Sequence, residues 1–219
     1  MESHLSARLQ AAYSLFPTCV QGADIGADHG KLSLALLKSG KCQRMLVTDI
    51  SAKALQRSRA CITNAGMQDR AVFCVGDGLE ALNAQADAVA ICGMGGKAIA
   101  RILQKGESEL HQAALVLSPQ TDISLVRRVL CEIGYNITCE VIVRENQRFY
   151  ILIKAIHGHS FLTEAEISLG PCLMRSLDAP FVREYYTWYA GVLDSHRDRE
   201  SIQRRTWITA LLNGDTVNP

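Results

Sequence analysis

The chain is short of proline, of aromatic side chains and of net charge. Five prolines in 219 residues exclude a polyproline or proline-rich linker protein. Twenty-three basic residues against 22 acidic ones exclude wholesale electrostatic attraction to a polyanion and leave room only for local patches. Divided after Lys154, the chain holds 17 basic and 14 acidic residues before the cut and 6 and 8 after it, so neither part is a basic arm. No apolar run reaches the roughly 18 residues that span a bilayer. The start, Met1-Glu2-Ser3-His4, lacks the charged and apolar blocks of a signal peptide, so the expected compartment is the cytoplasm. Disulfide and metal spacings are missing too. Cys19, Cys42, Cys61, Cys74, Cys92, Cys131, Cys139 and Cys172 show no CxxC or CxxxC pattern, and several sit in apolar runs as reduced core thiols do. Of six histidines only His157 and His159 are closely spaced, in a stretch that reads as linker, so no metal is expected. GxSxG, HExxH and Walker motifs are absent, as are repeats and low-complexity tracts.

What is present is alternation. Strand-like runs at Val20 to Ile25, Met45 to Ile50, Ala71 to Val75, Ala88 to Cys92 and Ala113 to Leu117 alternate with helical patterns near 30–38, 52–65, 79–84, 96–105 and 122–133. A further amphipathic helix, Ser6 to Leu15 with Ser6 as N-cap, precedes the first strand. Stacked βαβ units of this kind make a doubly wound α/β sheet. After Gly134, Asn136 to Val143 and Phe149 to Ile156 read as a hairpin joined by Arg144 to Arg148. The expected fold is therefore α/β: a Rossmann-like sheet of seven strands with an antiparallel C-terminal hairpin, the methyltransferase arrangement, where dinucleotide dehydrogenases continue with parallel strands. His157 to Ser160 read as a linker, dividing residues 1–157 from a small helical domain at 160–219. There Thr163 and Glu166 form a capping-box pattern, and Gly170-Pro171 should break the helix. Asp178 and Pro180 offer a cap and first-turn proline for a long helix whose apolar face reads Phe181, Tyr185, Trp188, Val192. With Ile202, Ile208, Leu211 and Leu212 it predicts a helical hairpin of coiled-coil type, turning between Ser195 and Ser201.

The densest chemical signal is Ala23-Asp24-Ile25-Gly26-Ala27-Asp28-His29-Gly30, at the junction of the first strand and the next helix. Glycines there let backbone approach a ligand, and the helix start offers free N–H groups. The spacing is GxxxG, not the GxGxxG of a pyrophosphate loop, and two carboxylates stand where phosphate charges would have to sit. S-adenosylmethionine, with an α-ammonium and a sulfonium, suits such a turn, the backbone N–H groups taking its carboxylate. A glycine turn with a capping aspartate is the structural alternative. Asp49, followed by Ile50, ends the second strand and can accept both ribose hydroxyls of an adenosine. Asp77 with Gly78 closes the third strand, either accepting from an adenine amino group or simply capping a turn. The fourth strand opens into Gly93-Met94-Gly95-Gly96, a row of backbone N–H groups where an acceptor would enter, or else a helix-packing cluster. No polar-Pro-Pro-aromatic tetrad follows it, which disfavours the familiar exocyclic-amine methylation.

Taken in order, Leu5-Ser6-x-Arg8-Leu9, the turn from Ala23 to His29, Gly76-Asp77-Gly78-Leu79, Gly93 to Gly96, and Leu162-Thr163-Glu164 to Gly170-Pro171 resemble the TrmK family. These are bacterial tRNA (adenine-N1)-methyltransferases acting on adenine 22. The resemblance spans nearly the whole chain. It implies S-adenosylmethionine as donor, and the strand-end turns offer Asp24, Ile25, Gly26, Asp28, His29, Gly30, Asp49, Ile50, Asp77, Gly78, Gly93 and Met94 as the residues expected to hold it. It implies a catalytic role for Asp28 and a C-terminal helical domain that contacts tRNA, with the acceptor expected at Gly95, Gly96, Pro119 and Gln120. Where the family tends to have Gln-Pro-Asn after the fifth strand, this chain has Ser118-Pro119-Gln120, and its C-terminal helices are short and poor in lysine. Three other readings stay open: a methyltransferase with another acceptor, a nucleotide-binding oxidoreductase, and a tRNA-binding protein without catalysis.

Overall fold

The computed structural model describes residues 5–217. Met1 to His4, which carried the reading of the N-terminus, lie outside the described residues. Strands β1 (Cys19–Ile25), β2 (Cys42–Asp49), β3 (Ala71–Val75), β4 (Ala88–Cys92), β5 (Ala114–Ser118), β6 (Tyr135–Glu145) and β7 (Arg148–His157) form one sheet in the order β3-β2-β1-β4-β5-β7-β6. The first five are parallel, and β7 runs antiparallel to both β5 and β6. The expected seven-stranded, doubly wound sheet is what the chain builds. The order reverses between β1 and β4, which opens a crevice at their carboxyl ends.

Helices α1 (Ala7–Leu15), α2 (Lys31–Lys38), α3 (Ala52–Thr63), α4 (Gly96–Lys105) and α5 (Ile123–Glu132) surround the sheet. Side-chain alternation along each strand sorts the core into two layers. Val89, Ile91, Leu115, Leu117, Ile151 and Ile153 face α4 and α5, while Ala88, Ala90, Val116 and Leu152 face α1, α2 and α3. Ser6 caps α1, its side chain accepting from Leu9 N–H. The helix expected near 79–84 shrinks to one 3-10 turn, Gly78–Ala81, anchored by the buried Leu79. β2 starts three residues earlier than its apolar run, because Cys42 and Arg44 pair with Cys19 and Gln21 of β1, and the polar Gln43 and Arg44 separate the buried Cys42 from that run. The hairpin is also tighter than its polar segment suggests. Asn146 and Gln147 both adopt positive φ (50° and 62°), the signature of a two-residue turn whose twist matches the strands, so Arg144 and Glu145 remain in β6.

Four helices follow the sheet: α6 (Glu164–Leu169), α7 (Pro171–Met174), α8 (Val182–Leu193) and α9 (Arg199–Asn213). Thr163 and Glu166 make the capping box, and Gly170-Pro171 separates α6 from α7. Two expectations about α8 fail. Asp178 and Pro180 fall in a turn, and the helix begins at Val182 behind Phe181, whose φ of 65° places it outside. The most buried face is one residue out of phase with the expected one: Val182, Tyr186 and Leu193 are buried and Tyr185 packs half-buried against the core, whereas Phe181, Trp188 and Val192 are exposed. Periodicity cannot choose between adjacent apolar stripes. The choice falls to tertiary partners, since the Tyr186 hydroxyl donates to Leu169 O at 3.0 Å beneath the helix. Tyr186→Phe should therefore cost about 1 kcal/mol, read as a lower midpoint in urea, because it strips a buried carbonyl of its donor.

A buried ion pair fixes these helices to the sheet. Arg127 of α5 and Glu140 of β6 are fully enclosed, with Nε 2.8 Å from Oε1. Arg127 Nη1 also donates to the carbonyls of Ile167 and Ser168, and Glu140 Oε2 accepts from Cys172 N–H. Gly170 passes so close that a Cβ there would lie 2.6 Å from Glu140 Oε2 and 2.7 Å from Arg127 Nη2; its φ of 108° also disfavours any side chain. Leu169, Leu173, Val182, Tyr186, Leu193, Ile208 and Leu211 consequently share one hydrophobic cluster with α4, α5 and the sheet.

Candidate active site

A cavity of about 320 Å³ opens at the carboxyl ends of β1, β4 and β5. One wall is the turn from Gly26 to Lys31; the floor is Asp24, Cys92, Gly93 and Ser118; the far wall is Ser6, Arg8 and Leu9 of the α1 region with Glu145 of β6. The first wall exists because β1 ends at Ile25 and α2 starts only after Gly30, which is left-handed at the N-cap. Gly26 and Ala27 donate their N–H groups to Thr48 O, tying the turn to the end of β2. Ser58 of α3 holds it from outside, its hydroxyl donating to Ala27 O.

The two acidic residues of this turn differ in environment. Asp24 is buried, accepting from Ser33 Oγ at 2.6 Å. Burial pushes its carboxyl up to about 6, the Ser33 hydrogen bonds opposing the shift and the Asp49 charge adding to it. Asp28 is half exposed and bonded to the Arg57 guanidinium, with His29 Nε2 3.3 Å from its other oxygen. The Arg57 hydrogen bond holds its carboxyl below the usual range. One turn thus carries a carboxylate that is easily protonated and one that stays ionised. Cys92 is no nucleophile here, since burial, with the Asp24 charge adding to it, pushes the thiol far up.

Of the residues singled out in the sequence, Asp24, Gly26, Asp28, His29, Gly30 and Gly93 share this cavity. Ile25 is the buried last residue of β1 behind it. Asp49 stands at the adjacent tip of β2, accepting from Ser51 N–H at 2.8 Å, with Ile50 exposed beside it. Asp77 and Gly78 do not line the cavity. They border a small separate depression against α4, where Arg101 lies 3.6 Å from the Asp77 carboxylate. The glycine row also divides. Gly93 borders the cavity, but Gly96 is a packing residue: its N–H donates to Thr121 O at 2.9 Å, and a Cβ would lie 2.2 Å from that oxygen. Met94 O accepts from Gln120 N–H, and the Met94 methyl packs on Gly26 of the turn, where a Cβ would lie 1.9 Å from it; Gly95, Pro119 and Gln120 are not among the lining residues.

Ser6, Arg8, Glu145 and Ser118 did not emerge as site residues from the sequence. Glu145 Oε2 accepts from Arg8 N–H at 3.1 Å, Glu145 Oε1 is 3.5 Å from Arg8 Nε, and the Arg8 guanidinium lies 4.5 Å over the Tyr150 ring. Leu5-Ser6-x-Arg8-Leu9 was visible as a motif, yet its partner lies 137 residues away and has no local mark. His157 packs edge-on against Tyr135, and among the described residues no group of three His, Cys, Asp or Glu side chains could hold a metal. No helix among them is long and apolar enough to cross a membrane.

A sheet ordered 3-2-1-4-5-7-6 with an antiparallel last strand pair, and an acidic glycine turn at the switch point, define a class I methyltransferase. The family model described as "Methyltransferase domain" matches residues 5–153. The tRNA (adenine(22)-N(1))-methyltransferase of Bacillus subtilis (strain 168) is 30% identical over 192 residues, covering 84% of this chain and 81% of the relative. The chain belongs to the TrmK family of tRNA (adenine-N1)-methyltransferases. Solved structures share its fold, among them the following two. A Streptococcus pneumoniae protein in complex with S-adenosyl-L-methionine superposes with a TM-score of 0.88 at 24% identity, over 95% of this chain and 100% of that one. B. subtilis TrmK superposes with 0.79 at 24% identity, over 97% of both chains.

Proposed function

We propose that the chain transfers the methyl group of S-adenosylmethionine to N1 of adenine 22 in tRNA, in the cytoplasm. The observation that carries this reading is the acidic cavity at the β1–β4 switch point of a chain 30% identical to the B. subtilis enzyme named for that reaction. The lining fits the donor. The buried Asp24 carboxylate suits a molecule bearing an ammonium beside its sulfonium and disfavours a dinucleotide pyrophosphate, while Asp28, paired with Arg57, adds little to that charge. Asp24 takes the ammonium, backbone N–H groups of the turn through Gly30 take the carboxylate, and Asp49 takes the ribose hydroxyls. Residues 1–157 do the chemistry, and the helices of 160–219 contribute to tRNA contact.

When bound, the donor supplies an electrophilic methyl group. The chain's own contribution is alignment, since adenine N1 is unprotonated near neutral pH and needs no base before attack. Holding N1 in line with the methyl carbon and sulfur removes entropy before the reaction. The target base must first leave its stack, at a cost of a few kcal/mol. The methylated ring becomes cationic, and Asp28, kept ionised by Arg57, stabilises that charge. The same pairing makes Asp28 a poor proton acceptor, so its role is electrostatic. Asp28→Asn should lower single-turnover rates about 30-fold, below the range seen for enclosed sites because the carboxylate is half exposed, with donor affinity within about threefold. Unchanged rates would remove Asp28 from the chemistry.

Incubation with methyl-labelled donor and either bulk tRNA or protein extract tests the acceptor class. Label is expected in tRNA; label confined to protein would replace this reading with a methyltransferase of another acceptor.

A further inference from the structure

Five buried side-chain polar atoms among the described residues have no hydrogen-bond partner within the protein, and two of them, Ser118 Oγ and Arg8 Nε, belong to residues lining the cavity, the second still ion-paired with Glu145. Ser118 is the more telling. It ends β5, opposite Cys92 of β4, and is 2% exposed. A buried hydroxyl left unpaired destabilises a fold, so its retention calls for a reason outside the folded chain. Its place in the sheet supplies one. With the donor nucleoside over Asp49 at the tip of β2 and the donor ammonium at Asp24 of β1, the order β2-β1-β4-β5 leaves the tips of β4 and β5 for the acceptor. Arg8, held by Glu145 and by the Tyr150 ring, closes that end.

Resting on the adenine-N1 reading, we infer that Ser118 positions the acceptor base, its hydroxyl oxygen accepting a hydrogen bond from the adenine 6-amino group. That group neighbours N1 on the ring. A bond to it orients the base while leaving the N1 lone pair free to attack.

The test is Ser118→Ala, read in three ways. Because the hydroxyl has no partner in the chain, the melting temperature should stay level or rise, and donor affinity should stay within twofold. The kcat/KM for tRNA should fall about 5- to 10-fold, as loss of one hydrogen bond predicts. The decisive measurement uses tRNA carrying purine riboside, which lacks the 6-amino group, at the acceptor position. Wild type should lose at least this factor on this substrate, because removing the amino group also weakens N1 as a nucleophile, and wild type and variant should then react equally. Additive losses, an unchanged kcat/KM, or a lower melting temperature with weaker donor binding would each overturn the assignment. Wild-type protein that methylates no tRNA would overturn the adenine-N1 reading itself, and this inference with it; the outcomes for Ser118 alone presuppose an active wild type.

Discussion

Asp24→Asn is expected to stabilise the donor-free protein and to weaken donor binding roughly 30- to 100-fold, the loss of a charge-assisted contact. Both effects follow from one buried carboxyl. Its folded-state value, about 6, lies above the ordinary 3.8, so its contribution to stability is complete only while it is protonated, below about pH 4, and is lost as pH rises through 6. At pH 7.5 the ionised group costs the empty protein about 3 kcal/mol by this linkage, and asparagine should recover a large part of it. An ammonium in the cavity would offset that cost, which is why a residue so placed serves binding rather than folding. Wild-type donor affinity should therefore fall about tenfold from pH 7.5 to 5, as Asp24 takes up a proton, and the variant should show no such slope. Calorimetric titration at several pH values reads both. Wild-type affinity and slope in Asp24→Asn would exclude Asp24 as the ammonium partner.

Arg127→Ala should be the most damaging single change in the scaffold, costing about 3–5 kcal/mol. The substitution leaves the Glu140 carboxylate enclosed, with only the Cys172 N–H facing it, and strips the carbonyls of Ile167 and Ser168 of their donor. Since the pair joins α5 and β6 to α6 and α7, limited proteolysis should cut the segment from His159 to Met174 first, before the parallel sheet opens. Urea unfolding gives the magnitude. A loss below about 1 kcal/mol would mean that water reaches the pair and that the C-terminal helices are held by apolar packing alone.

Much of the scaffold could be read locally. β3, β4 and α4 fall on the residues that alternation and glycine punctuation indicate, and the acidic turn from Asp24 to Gly30 is contiguous in sequence, so its chemistry is visible without a fold. What escaped depends on distance or on competition between partners. Arg8 meets Glu145 only after the sheet has brought α1 against the hairpin. Ser118 differs from any buried serine only in lacking a partner, a property of three-dimensional surroundings. Asp49 is the last residue of β2, whereas Asp77 lies two residues beyond the end of β3, at the head of a 3-10 turn and facing Arg101 of α4. In α8, the stripe Phe181, Tyr185, Trp188 and the stripe Val182, Tyr186, Leu193 are equally periodic, and the core beneath selects the second.

The most direct test of the account is mass-spectrometric mapping of nucleosides in tRNA after reaction with the purified protein and S-adenosylmethionine. The expected result is one new N1-methyladenosine, at position 22. Methylation at another base or on an exocyclic amine, or no product from protein that binds the donor, would contradict it.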